Sequence, residues 1–281
     1  VKLGRVRFGP AGFPLSGIKG EAAIVYLKEK GLDAMEYQAV RRLPTKREPL
    51  QKIGSTAVEN DVKLSLHAPY AINLCSEDET KLLASRERLL NACRVAKWLK
   101  ADHVTFHPGY YGKLSHKEAY KRVKESLEWV IERLEAEQIR VEVSPETTGK
   151  PSQFGTLEEV VNLSVELDYV VPTVDFAHLH AREGGIIKGK EDYERILSYI
   201  EDKIGNAVKT LLIHFSEIEM TKKGYGEWRH HDIGSGYGPD FKPLAEIIYE
   251  WDLSPTIICE TPLLDDDAVK LKRIYLNIAR H

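Results

Sequence analysis

The chain has 281 residues, 42% of them hydrophobic and 30% charged, with a formal net charge of −3. That much apolar material supports a buried core and excludes a disordered chain. The near balance of charge argues against indiscriminate coating of nucleic acid, while leaving room for a local basic track.

β-rich runs recur from one end of the chain to the other. In order they are RVRFGPAG from Arg5, AMEYQ from Ala34, KLSLHAP from Lys63, HVTFHPG from His103, RVEVSPE from Arg140, VVPTVDFAH from Val170, TLLIHFS from Thr210 and TIICETP from Thr256. Several are almost continuously apolar, as expected of strands covered on both faces. Between them the spacing becomes helical. Over 78–100, Leu82, Leu83, Leu89, Leu90, Cys93 and Ala96 form one stripe, and over 116–137 so do Ala119, Val123, Leu127, Val130, Ile131 and Leu134. A last helix follows the acidic run Asp265–Asp267, which suits a helix N-terminus. Strand and helix thus alternate eight times with no linker or low-complexity tract between them. This predicts a single α/β domain over 1–281, a (β/α)8 TIM barrel, in preference to an open doubly wound sheet.

No run of about 18 apolar residues is present to span a membrane, and the start of the chain lacks a signal-peptide pattern. The three cysteines, Cys75, Cys93 and Cys259, are widely separated and read as buried thiols of a reducing compartment. A cytoplasmic protein is expected, and no protein partner is implied.

A barrel presents its chemistry at the C-terminal ends of its strands. The third run ends in His67, the fourth in His107 and the fifth in Glu146. The sixth carries Asp175 and His178, the seventh His214 and the eighth Glu260; His230 lies in the long loop after the seventh. Any one such histidine is usually structural. A ring of them with carboxylates would be hard to stabilise without cations. Nitrogen and oxygen donors without thiolate suit Zn²⁺, and also Mn²⁺ or Fe²⁺. The donors are too many for one tetrahedral ion, and Glu146, midway in the series, is the natural bridge of a two-metal site. Two ions about 3.5–4 Å apart suit displacement at phosphorus; a carboxylate-rich mouth of this kind could equally polarise a hydroxy-carbonyl sugar.

LSLHAPYAINL, FHPG, SPETTGKPSQFG, DFAH, HFS, RHHDIGSG and CETP, taken together and in order, resemble the endonuclease IV family of abasic-site repair enzymes, also called AP endonuclease family 2, within the xylose isomerase-like TIM barrels. RFGPAGFPL fits only loosely. The resemblance implies a barrel with two or three divalent ions, usually zinc, that cleaves damaged double-stranded DNA on the 5′ side of an abasic site and leaves a 3′-hydroxyl. It implies that His67, His107 and Glu146 hold one ion, and that Glu146, Asp175, His214 and Glu260 hold a second. A third would lie on His178, His230 and an Asp of the same loop. At the Asp position this chain has Trp228, whose indole cannot ligate a metal. Either Glu227 swings in, or water and phosphate complete the set, or the third ion is absent. Ser235 likewise stands where the family's loop usually has Glu.

By the same resemblance Tyr70 is an aromatic wedge at the lesion; a cap on the barrel rim is the plain alternative. Arg41 and Arg42, with Lys46 and Arg47, put four cations in seven residues on a loop at the catalytic end. Arg182 and Arg229 are further phosphate candidates, His180 a residue that supports a ligand, and Tyr110, Tyr111 and Asn73 rim residues. Glu146 or Glu260 could orient the attacking water. The rival is a metal-dependent sugar isomerase or epimerase of the related barrels. It would use Glu146, Asp175, His214 and Glu260 but leave His67, His107 and His178 without a task. A protein that binds DNA or metal without turnover is the third reading.

Overall fold

The structure, a computed structural model, describes residues 4–280. Eight parallel strands form two four-stranded halves. In one, β2 (Ala34–Gln38), β3 (Lys63–His67), β4 (His103–Phe106) and β5 (Glu142–Pro145) lie side by side. In the other, β1 (Arg7–Pro10) pairs with β8 (Thr256–Cys259), β8 with β7 (Leu212–Phe215), and β7 with β6 (Thr173–Asp175). Parallel bridges Ala11–Glu36 and Glu146–Thr173 join the halves, so the sheet closes and the open-sheet alternative is excluded. Closure at the first seam is tight. A Cβ on Gly9 would lie 1.6 Å from the Ala34 carbonyl oxygen, so only glycine fits there.

Helices α1 (Glu21–Glu29), α2 (Arg47–Glu59), α3 (Glu79–Leu99), α4 (His116–Ala136), α5 (Leu157–Glu166), α6 (Lys190–Ile204), α7 (Phe241–Glu250) and α8 (Leu264–Ile278) form the outer ring. The stripe read on α4 is buried as expected, and Ser115 with Glu118 makes a capping box at its start. In α3 the stripe holds except at Leu83, which is half exposed; it lies one residue, or about 100°, around the helix from buried Leu82. Among the described residues no helix is long and apolar enough to cross a membrane.

Two short antiparallel pairs decorate the C-terminal rim. Gly109–Tyr110 pairs with Gln153–Phe154 above β4 and β5. Glu217–Met220 pairs with Glu227–His231 above β7. A short helix of about two turns, Phe176–Arg182, begins directly at the end of β6. These additions shape the mouth in which the ionisable residues meet.

Candidate metal centre

His67 and Asp175 are the last residues of β3 and β6, His107, Glu146 and Glu260 come one residue after β4, β5 and β8, and His214 lies within β7. All except His107 and Glu260 are essentially buried. Glu146 is the hub. One of its oxygens lies 3.3 Å from Nε2 of both His67 and His107; the other lies 3.1 Å from His178 Nδ1 and 3.4 Å from His214 Nδ1. Neither oxygen makes a hydrogen bond among the described residues, and the same holds for Asp175 Oδ2, His214 Nδ1 and Glu227 Oε2. Buried polar atoms left this way are costly. Their spacing supplies the explanation: two donors each about 2.0–2.1 Å from a shared ion at a tetrahedral angle are about 3.3 Å apart. His67, His107 and Glu146 form one convergent set, and Glu146, Asp175, His178 and Glu260 another. These donors fit divalent ions.

Hydrogen bonds on the far side of each ring choose which nitrogen faces inward. His67 Nδ1 donates to the Ala68 carbonyl at 2.8 Å, which turns Nε2 toward Glu146, whereas His178 Nδ1, itself beside Glu146, donates to the Thr147 carbonyl at 3.0 Å and leaves Nε2 free toward Glu227. His214 Nε2 donates to Glu36 at 3.0 Å, which turns Nδ1 toward Glu146 and toward Glu260 at 3.3 Å. Glu36 is fully buried and is itself held by Ser65 Oγ and Gln38 Nε2. A carboxylate behind a histidine ligand fixes its orientation and raises its basicity. Glu36 escaped the reading of strand ends, although strand parity could have found it. Gln38 is registered against His67, and Glu36, two residues earlier, against Ser65, so both point into the barrel with His67. A Glu36→Gln variant is expected to fold and to bind metal about 10- to 100-fold more weakly, measurable by competition with a chelator of known affinity.

A bulge sets where Trp228 points. Glu219 is registered against Arg229 and Met220 against Glu227, so Trp228 is the extra residue in its strand. The bulge lets Glu227 and His230, three apart, face the mouth together while Trp228 is 70% exposed. Glu227 Oε2 lies 3.1 Å from His178 Nε2. His178, His230 and Glu260 bring donor atoms within 4.8 Å of one another, and Ser216 Oγ, 2.7 Å from His230 Nδ1, orients that ring. Of the three possibilities for this corner, the geometry favours Glu227. The following GSGYG turn wraps Glu217, whose carboxylate accepts from the Gly234, Gly236, Tyr237 and Gly238 amides and from Ser235 Oγ. Gly234, Gly236 and Gly238 all have positive φ, so the loop needs its glycines to close on that carboxylate. Ser235 therefore faces Glu217.

Burial raises the Asp175 carboxyl to about 6 despite His178 beside it, and burial likewise raises Glu260. Glu146 goes the other way: burial opposes its charge, but the imidazoles of His214, His107 and His178 outweigh it and hold it well below the usual carboxylate range. Burial lowers His178 and His214, yet Asp175 and Glu227 around the first, and Glu36, Glu260 and Glu146 around the second, lift both well above an ordinary histidine. In the metal-free protein these two rings therefore hold protons that an ion must displace. Metal affinity is expected to fall about tenfold per pH unit for each proton displaced as pH drops below the raised histidine values. Asp175 adds a further proton below about pH 6. Calorimetric titration in buffers of different ionisation enthalpy reads the proton count; zero protons released at pH 7 would contradict it.

The mouth is a cavity of about 320 Å³ whose lining includes Tyr70, His107, Lys150, His178, His230 and Glu260. Tyr70 is 57% exposed, with its ring 5.2 Å from that of His67 and 5.3 Å from that of His107. The Tyr70 amide donates to the Val40 carbonyl, which ties the loop bearing exposed Arg41 and Arg42 to the same rim. Arg229 is also exposed. Lys150, not singled out in the sequence, lines the mouth and lies 3.5 Å from Glu227.

Arg182 requires correction as a phosphate contact. It is buried, and its guanidinium donates to the carbonyls of Thr148, Lys150 and Gln153 and to Thr148 Oγ1, bracing the loop after β5. His180 also fails as a support for a ligand: it is buried and accepts from the Ile187 amide. Asn73 binds loop amides of Cys75 and Tyr110, and Tyr111 is buried against Glu159, which leaves Tyr110 as the rim tyrosine.

The family profile described as xylose isomerase-like TIM barrel matches residues 24–274. The chain belongs to that family. Within the xylose isomerase-like barrels it is 35% identical over 269 residues to an uncharacterized protein of Methanocaldococcus jannaschii, covering 95% of this chain and 96% of that one. It is 25% identical over 257 residues to a probable endonuclease 4 of Acholeplasma laidlawii, 84% of each chain. Among solved structures, endonuclease IV from Thermus thermophilus superposes with a TM-score of 0.74 at 20% identity, over 98% of this chain and 99% of that one. A D-tagatose 3-epimerase-like protein superposes with a TM-score of 0.68 at 21% identity, over 89% and 90%. Both structures share the fold of this chain.

Proposed function

We propose that this chain is a metal-dependent phosphodiesterase that hydrolyses damaged double-stranded DNA on the 5′ side of abasic sites. One observation carries the reading: the two oxygens of Glu146 face different pairs of imidazoles, His67 and His107 on one side, His178 and His214 on the other. A sugar isomerase or epimerase built on Glu146, Asp175, His214 and Glu260 gives no role to the first pair. The curated relative named a probable endonuclease 4 supports the same choice at the level of sequence.

In this reading His67, His107 and Glu146 would hold one ion, Glu146, Asp175, His214 and Glu260 a second, and His178, His230 and Glu227 a third. Zinc suits these donors, and manganese or iron also. Bound ions supply the Lewis acidity for in-line displacement at phosphorus. Glu146, fully buried, would serve both of the first two sets of donors. Glu260 lines the open mouth, which supports it as the carboxylate that orients the attacking water. Lys150 neutralises phosphate at the mouth, Arg41, Arg42 and Arg229 meet the DNA backbone, and Tyr70 fills the gap left by the missing base.

The test pairs two substrates. Metal-loaded protein is incubated with a duplex containing one abasic site, and separately with ketose and aldose sugars. Incision that EDTA abolishes is expected; sugar interconversion with the duplex intact would overturn the proposal in favour of an epimerase.

A further inference from the structure

A second cavity of about 620 Å³ lies against the outer side of the hairpin, and Lys150 and Glu227 line both it and the metal mouth. Its walls include Trp228, Tyr225 and Pro151, with Lys222 and Lys223 at the hairpin turn. Trp228 is 70% exposed and Tyr225 46%. Large aromatic groups gathered in water beside a reaction site mark a binding surface. The bulge accounts for Glu227 facing inward, but it would do so with any residue at position 228. A surface indole is not needed for that purpose.

The charges in the groove point to the occupant. Glu227 is engaged by His178 and Lys150, and Glu219 by His231 at 2.9 Å. Lys222 and Lys223 are exposed and make no ion pair among the described residues. An aromatic face flanked by free lysines is the combination that tracks a nucleic-acid strand through base stacking and phosphate contacts. Stacking needs the face of a base, which a paired duplex does not offer.

Resting on the phosphodiesterase reading, we propose that this groove holds unpaired nucleotides of the strand that continues from the phosphate at the metal centre. One base stacks on Trp228, and the adjoining phosphates meet Lys222 and Lys223. The preferred substrate is then a lesion next to an unpaired stretch.

The experiment measures binding of a fluorescein-labelled thymidine oligonucleotide, about a dozen nucleotides long, to the full metal-loaded chain by anisotropy, with a blunt duplex of equal length as reference. The single strand is expected to bind, and Trp228→Ala to weaken it roughly tenfold. Lys222→Glu with Lys223→Glu is expected to lower the slope of log affinity against log salt by about 1.4. A single strand that does not bind, or that binds Trp228→Ala as tightly as the wild type, would overturn the groove assignment. So would a wild-type dimer that Trp228→Ala converts to monomer, since the occupant would then be a second copy. Because no chemistry is read, oligonucleotide binding by a protein that incises nothing would refute the phosphodiesterase reading alone. Incision of an abasic duplex with unchanged Trp228→Ala binding would refute the groove alone.

Discussion

A Glu146→Gln variant is expected to lose the ions on both sides of the carboxylate, and incision is expected to fall by two to three orders of magnitude or more. The cause is geometric and electrostatic together. Glu146 contacts four imidazoles from a fully buried position. An amide keeps the shape but removes the negative charge and one acceptor oxygen. Removing a single group that stabilises transition-state charge costs about 10²–10³ in turnover, and Glu146 would serve two ions at once. Elemental analysis of the purified variant, set beside its circular dichroism, separates metal loss from unfolding. A folded variant with full metal content and incision within about tenfold of wild type would contradict the bridging role.

A Glu227→Gln variant is expected to drop from three ions per chain to two, with turnover falling about 10²–10³-fold, the usual cost of removing one transition-state stabiliser. Adding Trp228→Asp is not expected to restore the ion, because the bulge directs position 228 outward. Native mass spectrometry of the metal-loaded chains counts the ions directly. Two ions in the wild type, or three in Glu227→Gln, would show that Glu227 is no ligand. Rescue by Trp228→Asp would show that the bulge is not fixed.

The barrel and most of the site were legible in the sequence for a simple reason. Parallel strands write themselves as apolar runs, and a barrel gathers whatever follows those runs at one end. His67, His107, Glu146, Asp175, His214 and Glu260 needed no side-chain geometry to be brought together on paper. What escaped depends on features one residue wide. The resemblance of the loop around RHHDIGSG to the family's put Trp228 at the ligand position, and only the extra residue in the hairpin shows that its neighbour Glu227 points inward. Glu36 was hidden inside a strand rather than at its end, where parity and not position reveals it. Arg182 looked available because charge on a short helix after a ligand suggests substrate. Its burial under the loop from Thr148 to Gln153 depends on contacts with a segment about 30 residues away in the chain, which no local pattern records.

The central claim is tested most directly by the chemistry of the cut. A duplex with one abasic site is incubated with metal-loaded protein, and the incised strand is offered to a DNA polymerase with nucleotides. Hydrolysis on the 5′ side leaves a 3′-hydroxyl, and the account predicts that the upstream fragment is extended without further processing, in a reaction that a chelator suppresses. No incision, or an end that the polymerase cannot extend, would contradict it.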